Sequence, residues 1–177
     1  MTTYVQSISY GLNVRALTIK LLCSIKKWCF VWIFGLALLF ITAHFFTIGF
    51  NVSESLPNNL FIVMKRNHEI RRGDYMAFRW HGGGPYVEGV SFTKIVVGLP
   101  GDVVSWQGRN VFINGQLIST AKTHAKTGQQ LNLGPSGVIP NGYYYVHTPN
   151  VDSLDSRYAI TGWIKKDAVI GKVVPLL

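Results

Sequence analysis

Three short stretches of the chain carry side chains whose types and spacing suit acyl-transfer chemistry. "NVSESLPNNL", residues 51–60, places Ser53 and Ser55 one residue apart, just after a long apolar run. A serine hydroxyl is inert until a base within hydrogen-bond reach takes its proton as it attacks a carbonyl. "TKIVVGLPGD", residues 93–102, offers a candidate base, Lys94, in an otherwise apolar strand. With a side-chain period of two, Lys94 shares a face with Phe92 and Val96. If that face is buried, desolvation disfavours the ammonium and lowers its pKa, which makes a neutral amine available near pH 7. Serine–lysine pairing is a variant of the serine triad logic. "PNVDSLDSRYAITGW", residues 149–163, packs Asp152, Ser153, Asp155, Ser156 and Arg157 into six positions. Taken singly, each stretch also has a plain structural reading: turn or N-cap serines, a lysine on an exposed edge, and a polar turn whose surface Asp–Arg pair contributes ~0–1 kcal/mol.

The elements that must position these residues begin with an apolar helix. A chain of 177 residues supports one domain of ordinary size plus one accessory element. The apolar fraction of 48% and mean hydropathy of +0.23 are high for a soluble domain, and the cause is local. From Trp28 to Phe50 the chain reads "WCFVWIFGLALLFITAHFFTIGF", with no Asp, Glu, Lys or Arg. At ~1.5 Å per residue this run makes a helix of roughly 34 Å, enough to cross a hydrocarbon core of about 30 Å. A cleaved signal peptide has an apolar region of only about 7–15 residues ending at a small-x-small site. This run is longer and no convincing Ala-x-Ala follows it, so a retained signal-anchor is expected, with His44 structural. Residues 1–27 contain Arg15, Lys20, Lys26 and Lys27 and no acid. Short positive flanks stay in the cytoplasm. The expected division is therefore a cytoplasmic segment over 1–27 holding a short juxtamembrane helix, a span over 28–50, and an exported, periplasmic domain over 51–177.

Composition narrows the chemistry further. The exported part keeps 13 of the 17 Lys+Arg, the other four lying in 1–27, against 8 Asp+Glu. Without a recognition motif or dense basic run this argues for an anionic bilayer surface as partner and against nucleic acid. Cys23 and Cys29 lie before and inside the span, so the exported domain has no disulfide framework or thiolate metal site. The five histidines lack metal-ligand spacing, and no metal or cofactor is expected. Beyond residue 55 the text is strand-like: "NLFIVMK", "GDYMAFRW", "SFTKIVVGLPGD", "DVVSWQG", "NVFINGQLI", "GYYYVHT" and "AVIGKVVPLL" are rich in β-branched and aromatic residues and separated by Gly, Pro, Asn and Asp. Asn114–Gly115 marks a hairpin, since both positions accept positive φ. The fold class is mainly β, an antiparallel domain of coiled sheets, with a polar surface excursion over 119–141.

Together these stretches resemble the type I signal peptidases. "KIVVGLPGD" (Lys94–Asp102) matches that family's K-x-x-V-G-L-P-G-D segment, "SLDSR" (Ser153–Arg157) its S-x-D-S-R, "SES" its S-x-S context beyond the anchor, and "RRGDYMAF" its R-G-D-V-V-x-F strand. Order, spacing and the preceding anchor agree over residues 28–177. The resemblance implies a signal-peptidase-like fold and a serine endopeptidase with Ser55 as nucleophile and Lys94 as general base. It also implies that Ser53 donates to the oxyanion beside the Ser55 N–H, that Ser153 orients the Lys94 amine, and that Asp155 and Arg157 hold the loop. The housekeeping enzymes follow the nucleophile with Met-x-Pro-Thr, whereas this chain has "SLP". It is closer to the N-x-[ST]-x-S-x-P-x-G-L pattern of TraF-type peptidases, which mature pilin precursors for conjugation, with Asn59 where that pattern has Gly. "TPNV" replaces the usual G-D-N-R before S-x-D-S-R. The short chain and single span suit this branch. The partner so implied is a membrane-embedded pilin precursor or another signal-peptide-bearing protein, bound as an added strand with small side chains before the scissile bond. Its acyl-enzyme is released by water or intercepted by a pilin amine to join the ends. Two alternatives are a general signal peptidase with a broad substrate set and a non-catalytic, membrane-anchored assembly protein of the conjugation apparatus. A self-cleaving serine–lysine repressor would need a DNA-binding domain where this chain has a span.

Overall fold

The computed structural model describes residues 2–50, 56, 60–65 and 69–176 and divides into two compact units, one ending at His44 and one beginning at Phe45. The first unit is a single helix, α1 (Thr2–Phe45), where the sequence suggests a short juxtamembrane helix followed by a span. Its segment Val14–Phe45 has a mean hydropathy of 2.0 and is long enough to cross a membrane. Leu, Ile, Phe and Ala dominate it with no helix breaker but Gly35, so nothing in the sequence interrupts the helix between the polar flank and the apolar run. The helix stops five residues short of Phe50. "FTIGF" instead forms a strand, β1 (Phe46–Phe50), because its β-branched and aromatic residues find a partner strand to pair with.

The second unit is all antiparallel β. The strands are β2 (Leu60–Met64), β3 (Tyr75–Arg79), β4 (Ser91–Gly98), β5 (Val103–Gln107), β6 (Asn110–Ile113), β7 (Gln116–Thr120), β8 (Gly137–Val138), β9 (Tyr143–His147), β10 (Ile164–Lys165) and β11 (Val169–Pro175). Seven form one sheet in the order β1-β2-β11-β3-β4-β9-β10, and four form a smaller one in the order β7-β6-β5-β8. β6 and β7 meet at Asn114–Gly115, whose φ values of 51° and 80° are those a tight hairpin requires.

Both faces of the large sheet are covered, which explains why its strands do not alternate cleanly between apolar and polar. One face carries Met76, Phe78, Trp80, Val96, Val146 and Ile164, and the other Phe61, Val63, Ala77 and Val173 with Leu56. Register fixes the two sets: Val63, Val173, Tyr75 and Ile95 form one row across four strands, and Met76 opposes Lys94 in the next. A third cluster, Val104, Val111, Ile113, Ile139 and Tyr145, fills the junction with the small sheet. Gly98 makes that junction possible, since a Cβ there would stand 2.7 Å from both Ile139 Cδ1 and Tyr145 Cβ.

The turn between the sheets uses the rest of the "GLPGD" run. Asp102 accepts hydrogen bonds from Leu99 N at 2.6 Å, Asn114 Nδ2 at 2.6 Å and Arg72 Nη2 at 2.7 Å. Arg72 also donates to the Val97 carbonyl. Asp74 pairs with Lys172 at 2.7 Å, and Gly73 N donates to Val96 O at 2.8 Å. The "RRGD" and "GLPGD" runs thus brace the C-terminal end of β4, the strand that carries Lys94.

Candidate active site

Lys94 sits at the middle of β4 and is 5% exposed. β4 is an interior strand whose Lys94 face also carries buried Val96 and opposes buried Met76, so the four-carbon stem is withdrawn from water. Its Nζ donates to Ser153 Oγ at 2.6 Å and lies 5.5 Å from the centre of the Phe92 ring. Desolvation dominates its titration. Only partly offset by the Asp155 carboxylate, and reinforced by the Arg157 guanidinium, burial brings the Lys94 pKa down to about 8. A pKa of this size leaves about a tenth of the amine neutral at pH 7, a usable population for a general base.

Residues 149–163 reach Lys94 because they are tied to β9 from beneath. Ser156 N donates to Val146 O at 3.0 Å, and Ser156 Oγ accepts from Val146 N at 3.0 Å. Asp155 is fully buried and takes a bidentate grip from Arg157, Nε at 2.8 Å and Nη2 at 2.9 Å, plus backbone N–H groups of Arg157 at 3.1 Å and Thr148 at 3.2 Å. His147 Nδ1 stands 3.2 Å from Asp155 Oδ2. Burial alone would push the Asp155 carboxyl up; His147 and Arg157 outweigh it and hold the carboxyl below its ordinary range. Arg157 also donates to Asn150 O at 3.0 Å and Ser153 O at 3.4 Å, closing the loop on itself. Gly134 N donates to Arg157 O at 2.8 Å, and only glycine fits there, because a Cβ would stand 2.2 Å from Ser156 O.

Four of the six candidate residues, Lys94, Ser153, Asp155 and Arg157, therefore meet in one buried cluster. Ser53 and Ser55 lie outside the described residues. Leu56, the next residue after Ser55, is 5% exposed and packs with Phe61, Val63, Ala77 and Val173. Sequence reasoning left Ser156, Thr148 and His147 without roles, and "DSR" signals the first of these only once β9 is known to run beside it. It also left 119–141 without structure. That segment is folded: Arg109 donates to Ala121 O and Leu131 O, both at 2.9 Å, and to Lys122 O, while Leu133 bridges to Tyr158. Among the described residues no three His, Cys, Asp or Glu side chains are grouped as metal ligands.

Comparison with known proteins points to one family. Signal peptidase I of Pseudomonas fluorescens is 30% identical over 137 residues, covering 58% of this chain and 47% of the relative. Signal peptidase I of Bacillus caldolyticus is 25% identical over 151 residues, covering 76% and 79%. A signal peptidase I structure from Enterococcus faecalis overlaps 59% of the chain and 97% of its own at 24% identity, with a TM-score of 0.38. The chain spans about half the length of the Pseudomonas relatives it matches, 47% of one and 42% of the other. The family model for signal peptidase, peptidase S26, matches residues 23–177, most of the chain and all of the cluster described above. The chain belongs to the signal peptidase family, peptidase S26.

Proposed function

We propose that the chain is a membrane-anchored serine endopeptidase in which Ser55 attacks the scissile carbonyl and Lys94 is the general base. The observation that carries this reading is the Lys94 amine, buried, held at 2.6 Å by Ser153, and brought down to a pKa of about 8. A lysine placed for solubility or surface pairing would have none of these properties. Neutral Lys94 takes the Ser55 proton as the carbonyl is attacked, then returns it to the leaving amine as the C–N bond breaks. Ser53 Oγ and the Ser55 N–H receive the oxyanion, a contribution of ~10²–10³ in rate for a preorganised donor. Ser153 orients the amine, and Asp155 with Arg157 fixes Ser153. Helix α1 anchors the domain in the bacterial inner membrane with the N-terminus cytoplasmic, which confines catalysis to bonds near the periplasmic lipid surface.

The substrate in this reading is a pilin precursor of a conjugation apparatus, favoured by "SLP" after the nucleophile. A second reading, general signal-peptide removal, is favoured by the matched relatives, which are named signal peptidase I. Mass spectrometry of the candidate pilin from cells carrying the wild-type chain or Ser55→Ala tests the first. A mature pilin with Ser55 and an unprocessed precursor with Ala is the expected result; identical masses refute it. Rescue of a strain depleted of its leader peptidase decides for the general reading.

A further inference from the structure

Ser153 faces two ways: its hydroxyl holds the Lys94 amine, and the residue also lines a cleft of about 580 Å³. That volume is many times the ~30 Å³ of a water molecule and within the range of about 300–1,000 Å³ typical of ligand sites. Tyr86, Leu131, Leu154 and Ile160 give the cleft an apolar lining, and Lys122, Lys126 and Asp152 give it charge.

The lining is braced. Trp80 Nε1 donates to Gly83 O at 3.1 Å, and Tyr86 meets the Phe92 ring edge-on at 5.0 Å, fixing the β3–β4 loop. The Arg109 bonds to residues 121, 122 and 131 fix the opposite segment. Asp152 is the sole acid among the described lining residues and is shared by two cations, Lys122 Nζ at 2.5 Å and Lys126 Nζ at 3.2 Å. Among the described residues two cations thus share one carboxylate, and the Lys126 side chain is 72% exposed.

The chemistry gives this cleft a direction. A base that returns its proton to the leaving amine must stand beside the nitrogen of the scissile bond. The residues after that bond therefore run out past Lys94 and its partner Ser153. We propose that the cleft is a specificity site for an acidic side chain in the substrate segment following the scissile bond, with Lys126 and Lys122 exchanging Asp152 for the substrate carboxylate. This rests on the peptidase reading above, and the test separates the two.

Two fluorescein-labelled peptides share a small-x-small stretch and then carry either two glutamates or two lysines. Their binding to the full chain bearing Ser55→Ala, in an uncharged detergent at low salt, is read by anisotropy. The expected result is a Kd about fivefold or more lower for the glutamate peptide, the scale of one partly exposed ion pair. Adding Lys126→Glu should abolish or invert that preference. Adding Asp152→Asn, which removes the internal competitor, should widen it. No saturable binding of the glutamate peptide, or a preference unmoved by Lys126→Glu, overturns the proposal. Cleavage of the same peptides by the wild-type chain is followed in parallel. Acid-selective binding without cleavage refutes the peptidase reading alone, and cleavage without charge preference refutes the cleft alone.

Discussion

Replacing Lys94 with methionine should make the domain more stable while abolishing its activity, and the size of the gain follows from the site. A solvated lysine titrates at 10.5 and Lys94 at about 8, so burial costs the folded state ~3 kcal/mol at pH 7, at ~1.36 kcal/mol per pH unit. The sign is fixed by proton counting. Between pH 8 and 10.5 the unfolded chain binds more protons at this position than the folded one, so stability rises with pH across that window. Methionine fills a similar volume without the charge. It forfeits the bond to Ser153, a loss of about 1 kcal/mol. The net expectation at pH 7 is a gain of about 2 kcal/mol, or roughly 6 °C in Tm for a domain of this size. The gain should shrink as pH approaches 10.5, because the wild-type amine then folds neutral. Near-UV circular dichroism melts of the full chain in detergent, at pH 7 and pH 9, measure both quantities. A variant that melts below wild type at pH 7, or one whose advantage is the same at both pH values, would show that the amine is not a desolvated base and would sink the reasoning.

The remaining predictions concern the groups around that amine. The rate profile of the wild type should rise with pH to a limb near 8, set by loss of the Lys94 proton, and should be read as kcat/KM against pH. Ser153→Ala removes the hydrogen bond that holds Nζ among the described residues, so activity should fall about 10²-fold with little change in KM, the scale of a misplaced reacting group. Asp155→Asn leaves Arg157 buried without its counter-ion and should cost about 3–5 kcal/mol by thermal or urea denaturation. Because Asp155 raises the Lys94 pKa, the same variant should shift the activity limb to lower pH; a shift to higher pH would contradict the arrangement.

How much of this was legible in the sequence depends on which physical signal each element carries. The strands β2 to β7, β9 and β11 announce themselves by composition and by turn residues, because local propensity and tertiary need agree there. β8 and β10 contain two residues each, too short for any periodicity, and exist because neighbouring strands supply their hydrogen bonds. β1 is hidden for the opposite reason. "FTIGF" continues an apolar run that is equally good text for a membrane helix, and pairing with β2 decides between them. The region 119–141 has no core-facing pattern since much of its order comes from one guanidinium: three carbonyls of the segment converge on Arg109, a contact no local rule foresees. In the candidate site, residue types were readable but burial was conditional. Whether Lys94 is a base or a solvated edge residue turns on burial of the sheet face it shares with Met76 and Val96, which a single strand's text does not contain.

That dependence explains why the matched motifs are longer than the chemistry they serve. A buried lysine amine is a destabilising group, and a fold keeps it in place only if everything around it is harder to move. In "KIVVGLPGD" a single side chain is proposed to react. Val96 fills the core, Gly98 admits Ile139 and Tyr145, and Asp102 closes the turn through three donors. In "SLDSR" one hydroxyl touches the amine; Asp155, Ser156 and Arg157 are spent on holding that hydroxyl against β9. Arg72 bonds both Asp102 and the Val97 carbonyl, so the "KIVVGLPGD" run is clamped from its "RGD" neighbour. The residues that look like a catalytic signature are therefore mostly the frame that keeps one amine dry. Loss of any frame residue should be felt first in the protonation and aim of Lys94, before the domain as a whole gives way.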